Sequence, residues 1–381
     1  MNFLFYDIIL FIIFTVATVI FLYRHKKNVK REGIVFLYRS KFGLKFMDSI
    51  SKKHPKLLNF LSTAYILIGF LGMISVVLLL IYSIYNMFIA TQVQSIPPIV
   101  PLLPWMQIPG FPTLYFSFWI ISIFILVVVH EGSHGIFARY NKIKVNSSGF
   151  GFLGPLPLAF VEPDEKQLAK KSTKAQLSVF AAGPAANFVT ALIVLLIISF
   201  VLNPLIADSI KDSKIIIGQV QNNTPAYYSG IEKGDMISVN GQDTILNFSK
   251  FVSGLKPNQA ISILIENKNK TVNLTTAKHP LNETAGYLGV GITPELKGLQ
   301  KAIPILSGLF FWICMTNFFV GLFNLMPFWI VDGGRMFYSA ALHFKKSKKK
   351  AQKSLKIATF FCLFLLFLIF LVWLLKRFLL I

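Results

Sequence analysis

His130-Glu131-Gly132-Ser133-His134 lies in the second half of an apolar run, "LVVVHEGSHGIFARY" from Leu126 to Tyr140. On a helix, residues four apart share a face one turn apart, so two such imidazoles can grip one metal ion. The glutamate between them is suited to act as a general base on water. Short patterns of this kind recur by chance, but the setting adds weight. Ionisable groups in a membrane-grade segment are costly and mark function. The bland reading, histidines that form buried hydrogen bonds or cap a helix end, leaves Glu131 without a buried partner.

A catalytic zinc site has three protein ligands and an open position, so a third rare intramembrane polar group is required. Asp332, in "FNLMPFWIVDGGRMF", is the best candidate. It follows an apolar segment, and Pro327 and the Gly333-Gly334 pair are expected to break the helix around it. Capping the next helix is its alternative role. Glu162, Asp164 and Glu165 are weaker rivals in a polar loop, and His25, His54, His279 and His343 stand in polar, solvated surroundings. In "FAAGPAANFV", Phe180–Val189, the small residues favour close helix packing. Asn187 there is a polar group in lipid that needs a partner, with support of the site as one option.

The elements that must position these groups are membrane helices. The chain has 381 residues, 54% of them hydrophobic, and a mean hydropathy of +0.63. That is too apolar for an ordinary soluble domain. Segments long enough to span fall near 3–23, 59–90, 114–138, 176–203, 304–326 and 357–380. The first is expected to be a retained helix and not a cleaved signal. Cys314 and Cys362 lack metal or disulfide spacing and suit small buried hydrophobes.

The net charge of +22 is placed by topology and not by nucleic acid. Arg24–Lys56 holds 11 Lys/Arg, Arg139–Lys174 holds 7 and Arg335–Lys356 holds 8. Loops of this kind mark the cytoplasmic side. The N-terminus is then outside, and the His-Glu-His group lies toward the cytoplasm. The proline-rich outer loop at 91–113 has no Lys or Arg. "SSGFGFLGPLPLAFVEPDEKQ" is apolar but broken by Gly and Pro, which predicts a re-entrant loop or β-hairpin dipping toward the motif; a plain cytoplasmic loop is the alternative. From about 210 to 295, short β-type runs such as "KIIIGQV" and "AISILIE" predict a small β-rich domain with an Asn240-Gly241 turn. Five N-x-S/T triplets, at Asn222, Asn247, Asn269, Asn273 and Asn282, fit an exterior location.

Taken together, "HEGSH" at 130–134, "AGPAAN" at 182–187 and "NLMPFWIVDGG" at 324–334 resemble the site-2 protease family of intramembrane zinc metalloproteases. "GIEKGDMISVNGQ" resembles a PDZ domain. The resemblance covers roughly 114–334 and implies a polytopic α-helical membrane protein of about six transmembrane helices with one small β-rich PDZ-like soluble domain. It implies Zn2+ held by His130, His134 and Asp332, with Glu131 as base. It implies that Asn324 binds the scissile peptide or its oxyanion and that Asn187 supports the site. The sequence departs from the family at Trp329 and Ile330, where further prolines are usual.

The expected organisation is an N-terminal transmembrane pair (1–113), a catalytic core in two parts (114–203 and 304–334), a PDZ-like extracytoplasmic domain (210–295) and a basic loop with a last helix (335–381). The expected partners are membrane-anchored, single-span protein substrates and the bilayer, with no nucleic acid. The expected activity is hydrolysis of peptide bonds within or next to membrane segments. A non-catalytic zinc-containing receptor or chaperone is the alternative, although structural zinc needs no base such as Glu131. A zinc transporter fits poorly, for want of an inverted repeat.

Overall fold

The computed structural model describes residues 3–89, 102–108, 110–154, 156–211, 213–239, 241, 244–280, 282–296 and 298–378. The proline-rich run at 95–101, Pro155 and Asn240 of the expected turn lie outside these. Contacts divide the chain into two units, Met1–Leu195 with Gly308–Ile381, and Leu196–Ser307.

The first unit begins with α1 (Phe3–Arg24). The basic stretch after it, expected as a loop, is folded. It forms β1 (Val29–Glu32), β2 (Val35–Ser40) and the short amphipathic α2 (Leu44–Lys53). Then come α3 (Pro55–Ile89), which opens on a proline that has no N–H to leave unpaired, and α4 (Phe116–Tyr140), which carries the His-Glu-His group. The Gly/Pro-broken segment is a hairpin of β3 (Val145–Leu153) and β4 (Leu156–Pro163). It joins β1 and β2 in an antiparallel sheet of order β1-β2-β3-β4, so the extra strands come from the basic stretch. Arg39 of β2 ties the sheet together by pairing with Glu162 of β4 at 2.9 Å and with Glu32 at 2.7 Å. A short α5 (Glu165–Ala169), capped by Asp164 on the Gln167 amide, leads to α6 (Thr173–Ile197).

In the second unit, α6 runs on through a π-helical turn (Ile198–Leu202) into α7 (Asn203–Lys211). The short β-type runs form β5 (Ile215–Val220), β6 (Met236–Ser238), β7 (Ala260–Ile265) and β8 (Lys270–Thr275), with α8 (Pro225–Tyr228) and α9 (Ile245–Ser253) between them. A small pair, β9 (Ala277–His279) and β10 (Asn282–Tyr287), precedes β11 (Val290–Pro294). The main sheet is antiparallel with order β11-β5-β6-β7-β8. Alternate residues of β7, Ile261, Ile263 and Ile265, face a core shared with Ile215, Ile217 and Phe248, as the period of two requires.

The chain returns to the first unit through α10 (Ala302–Asn324), α11 (Asp332–Lys345) and α12 (Lys348–Phe378). Among the described residues, six helices are long and apolar enough to cross a membrane: α1, α3, α4, the Thr173–Lys211 run, α10 and α12. The chain is a multi-pass membrane protein. The last span starts earlier than its apolar run: Lys348–Lys356, expected in a loop, forms the first turns of α12.

Around the two key helices the packing is close. Ala181, Ala182 and Ala185 of α6 are fully buried beside Phe137, Ala138, Leu325 and Met336. The absence of larger side chains lets α6 lie against its neighbours.

Candidate metal centre

α4 sets His130 and His134 one turn apart, with ring centroids 4.8 Å from each other. α11 begins at Asp332, so this carboxylate sits in the first turn, where the helix dipole favours a negative charge. Its Oδ2 lies 3.1 Å from His130 Nε2 and 3.2 Å from His134 Nε2, and the two Nε2 atoms are 3.2 Å apart. The cap position of α11 falls to Val331, with no side-chain cap bond, so Asp332 is the first helical residue and its carboxylate is turned to the two histidines and not to its own helix.

The glycine pair works differently from the helix break expected of it. Gly333 and Gly334 lie inside the first turn of α11. A Cβ on Gly334 would strike the Phe328 carbonyl, and one on Gly333 the backbone of Leu325 and Met326. The glycines thus let α11 start directly beneath the turn that follows α10. That close approach fixes where Asp332 points.

Three observations test whether zinc fits. First, ligand atoms about 2.0–2.1 Å from zinc stand about 3.3 Å apart at tetrahedral angles. The triangle of Nε2, Nε2 and Oδ2 has nearly these edges. Second, His134 Nδ1 lies 2.7 Å from the Val179 carbonyl, which can only accept, so the neutral imidazole carries its proton on Nδ1 and offers the Nε2 lone pair to a metal. Third, a Cβ on Gly183 would sit 2.7 Å from His130 Nε2 and closer still to His134 Nε2. α6 therefore leaves a methyl-sized space at the point where both imidazoles aim. All three observations suit a zinc ion.

Asn187, fully buried on α6, has its amide nitrogen Nδ2 3.0 Å from His130 Nδ1, while its Oδ1 has no hydrogen-bond partner. With zinc on Nε2 the proton is on Nδ1, and the amide oxygen is the atom that must face it. Glu131 is not without a partner: its Oε2 accepts from the Val161 amide of β4 at 2.9 Å. β4 is the edge strand of its sheet, so this edge meets the glutamate directly. Glu131, both histidines, Asp332 and Asn324 line one cavity of about 310 Å³, with Phe160 and Ile330 on its wall. The rival carboxylates are engaged elsewhere: Glu162 with Arg39, Asp164 as a cap, and Glu165 with Arg335. His130, His134 and Asp332 are the one such cluster of possible metal ligands among the described residues.

The backbone groups of Val161 and Val179 and the bare Cα of Gly183 were not legible as site groups. Main-chain atoms have no sequence signature, and Gly183 reads as ordinary helix packing. Its place one residue before Pro184, which has no N–H to give the Phe180 carbonyl, was the one available hint.

The sequence profile of peptidase family M50 matches residues 118–369, and the chain belongs to that family. An uncharacterised protein of Methanocaldococcus jannaschii is 28% identical over 337 residues, which cover 86% of this chain and 83% of the relative. The zinc metalloprotease RasP of Oceanobacillus iheyensis is 24% identical over 233 residues (47% of this chain, 54% of that one). The regulator of sigma-W protease RasP of Bacillus subtilis is 24% identical over 150 residues (38% and 34%). The chain thus spans about half of the first RasP and a third of the second. Family and relatives define a zinc metalloprotease with a site-2 protease type of function.

Proposed function

We propose that this protein hydrolyses peptide bonds within or next to the membrane segments of membrane-anchored proteins. The observation that carries the reading is the convergence of His130, His134, Asp332 and Glu131 on one cavity to whose wall the membrane-grade helices α4, α6 and α10 contribute. In this reading His130, His134 and Asp332 hold zinc. When bound, zinc supplies Lewis acidity that acidifies water and polarises a carbonyl. Glu131 takes the proton from the attacking water and delivers it to the leaving amine. Asn324, on the cavity wall, donates to the scissile carbonyl as charge develops on it. Asn187 and Val179 hold the two imidazoles in their working tautomers.

A helical substrate hides its carbonyls in its own hydrogen bonds, so it must unwind before it is cut. The edge of β4 beside Glu131 offers a place for the extended strand to pair. The segment 210–295 is proposed as a PDZ-like domain that screens or binds the outer part of the substrate. The basic stretches are proposed as cytoplasmic, with the N-terminus and the 210–295 domain outside and the centre toward the cytoplasm.

The deciding experiment is Glu131→Gln against a single-span fusion substrate in membranes. Cleavage is expected to fall by about 10²–10⁴-fold while bound zinc stays at the parent level. Undiminished cleavage would remove the proteolytic mechanism. The orientation is tested apart, by labelling Lys250→Cys with an impermeant maleimide. Reaction from the outside is expected, and reaction from the cytoplasm alone would reverse the topology.

A further inference from the structure

A second, larger cavity of about 880 Å³ adjoins the catalytic one. Leu168, Phe180 and Arg335 line both. Arg335 stands at the boundary. It is paired with Glu165 at 2.5 Å and stacked 4.3 Å from the centre of the Phe180 ring. The turn between α10 and α11 runs along the same boundary: Ile330 lines the catalytic cavity, and its neighbour Trp329 lines the larger one.

The far wall is a single face of α12. Gln352, Leu355, Lys356, Thr359, Phe360 and Leu363 recur at helical spacing along it. Thr359 anchors that face by donating to the Pro327 carbonyl at 2.8 Å, so α12 is fixed to the turn that carries Trp329. The lining changes character along the cleft. Gln176, Ser339 and Gln352 make one end polar, and Gln176 and Ser339 are bonded to each other at 3.0 Å. Trp329, Phe360 and Leu363 make the other end apolar. A volume in this range takes a group the size of a small ligand, or a few residues of peptide, and not a whole helix.

We propose that this cleft is the specificity subsite for substrate residues flanking the scissile bond. It takes a large apolar side chain of the unwound membrane segment, with Trp329 and the 360/363 face of α12 as the selecting walls. The inference rests on the proteolytic reading and goes further, because it names what the substrate must carry. Continuity with the catalytic cavity selects polypeptide as the occupant: an extended chain that leaves the Glu131 cavity past Arg335 enters the cleft within a few residues. Arg335 is placed to donate to the carbonyls of such a chain as it crosses.

The test uses the full-length protein in membranes and a set of single-span fusions. Each fusion has a Leu/Ala membrane segment interrupted by Asn-Gly, and the positions flanking the cut are varied between Ala and Phe. Leu363→Trp, which fills the cleft, is expected to lower the Phe-over-Ala rate ratio by about tenfold or more, the scale on which apolar pockets discriminate size. Trp329→Ala is expected to shift the same ratio. Equal slowing of all substrates, or an unchanged ratio, overturns the proposal.

A second readout does not depend on turnover. In the Glu131→Gln background, a photo-crosslinking residue at Phe360 or Leu363 is expected to capture the fusion. The same residue at Phe361 or Phe364, outside the cleft lining, is expected not to. Capture of phospholipid in place of the fusion from the cleft positions overturns the proposal in favour of a lipid pocket. A parent protein that cuts none of the fusions counts against the proteolytic reading, and the crosslinking pattern still decides the cleft.

Discussion

His134 donates its Nδ1 proton to the Val179 carbonyl, 2.7 Å away on α6. One hydrogen bond between two helices thus selects, for the neutral ring, the tautomer whose free lone pair is on Nε2, the atom aimed at Asp332, 3.2 Å off. α6 contributes no metal ligand in this arrangement, yet it decides which nitrogen can be one.

Removing Asp332 is expected to open the ligand triangle. Asp332→Ala should retain zinc far less well, by about 100-fold or more in affinity, since three protein ligands define such a site. Metal analysis after dialysis against a mild chelator reads this directly. Chelation of the parent should abolish cleavage, and added Zn2+ should restore it. Unchanged zinc in Asp332→Ala would remove this residue from the site.

Gly183→Ala is expected to be more damaging than its size implies. The added methyl occupies the space in front of both Nε2 atoms. Zinc content should fall sharply while helix content by circular dichroism stays that of the parent. A variant that loads zinc normally would show that α6 can shift away, contrary to the hydrogen bonds that hold it to α4 through Val179 and to α11 through Gln176.

Asn187→Ala should weaken zinc binding by about 10–100-fold, the range for partners that orient a metal-binding histidine. Asn187→Asp keeps an acceptor toward His130 Nδ1 and should recover part of that loss. Zinc affinity measured by competition distinguishes the two variants. A purely packing role would leave them alike.

Asp7 of α1 accepts hydrogen bonds from the Phe116 amide at 2.6 Å, the Ser117 amide at 2.8 Å and Trp105 Nε1 at 2.9 Å. It is 3% exposed, and it caps α4 from another helix, where Tyr115 makes no side-chain cap of its own. Asp7→Ala strips a buried acceptor from three donors and should cost about 1–3 kcal/mol. A lowered unfolding temperature in detergent checks this, with Asp7→Asn intermediate.

Much of the molecule was legible because membrane helices are written in composition. Six apolar runs gave six candidate spans, since lipid admits a lone segment only as a self-bonded helix. The spacing of His130 and His134 was equally plain, because a helix fixes the geometry of residues four apart. The basic stretch after α1 was not legible. β2, which carries β1 on its other side, pairs with a hairpin more than 100 residues downstream, and such long-range pairing leaves little local signature.

What the sequence determined by itself was therefore the set of membrane-grade helices and the chemistry at their turns: two imidazoles, the glutamate between them and a downstream carboxylate in the polar minority of an apolar chain. What only the tertiary structure decided was convergence. Asp332 lies 198 residues from His134, and nothing local sets that distance. It is closed by glycines that let α11 start beneath the turn after α10, by Gly183 leaving the space open, and by main-chain groups of Val161 and Val179 that no residue pattern announces. Side-chain types carry chemistry in the sequence, whereas the angles and empty spaces that make them a site arise from packing between distant segments.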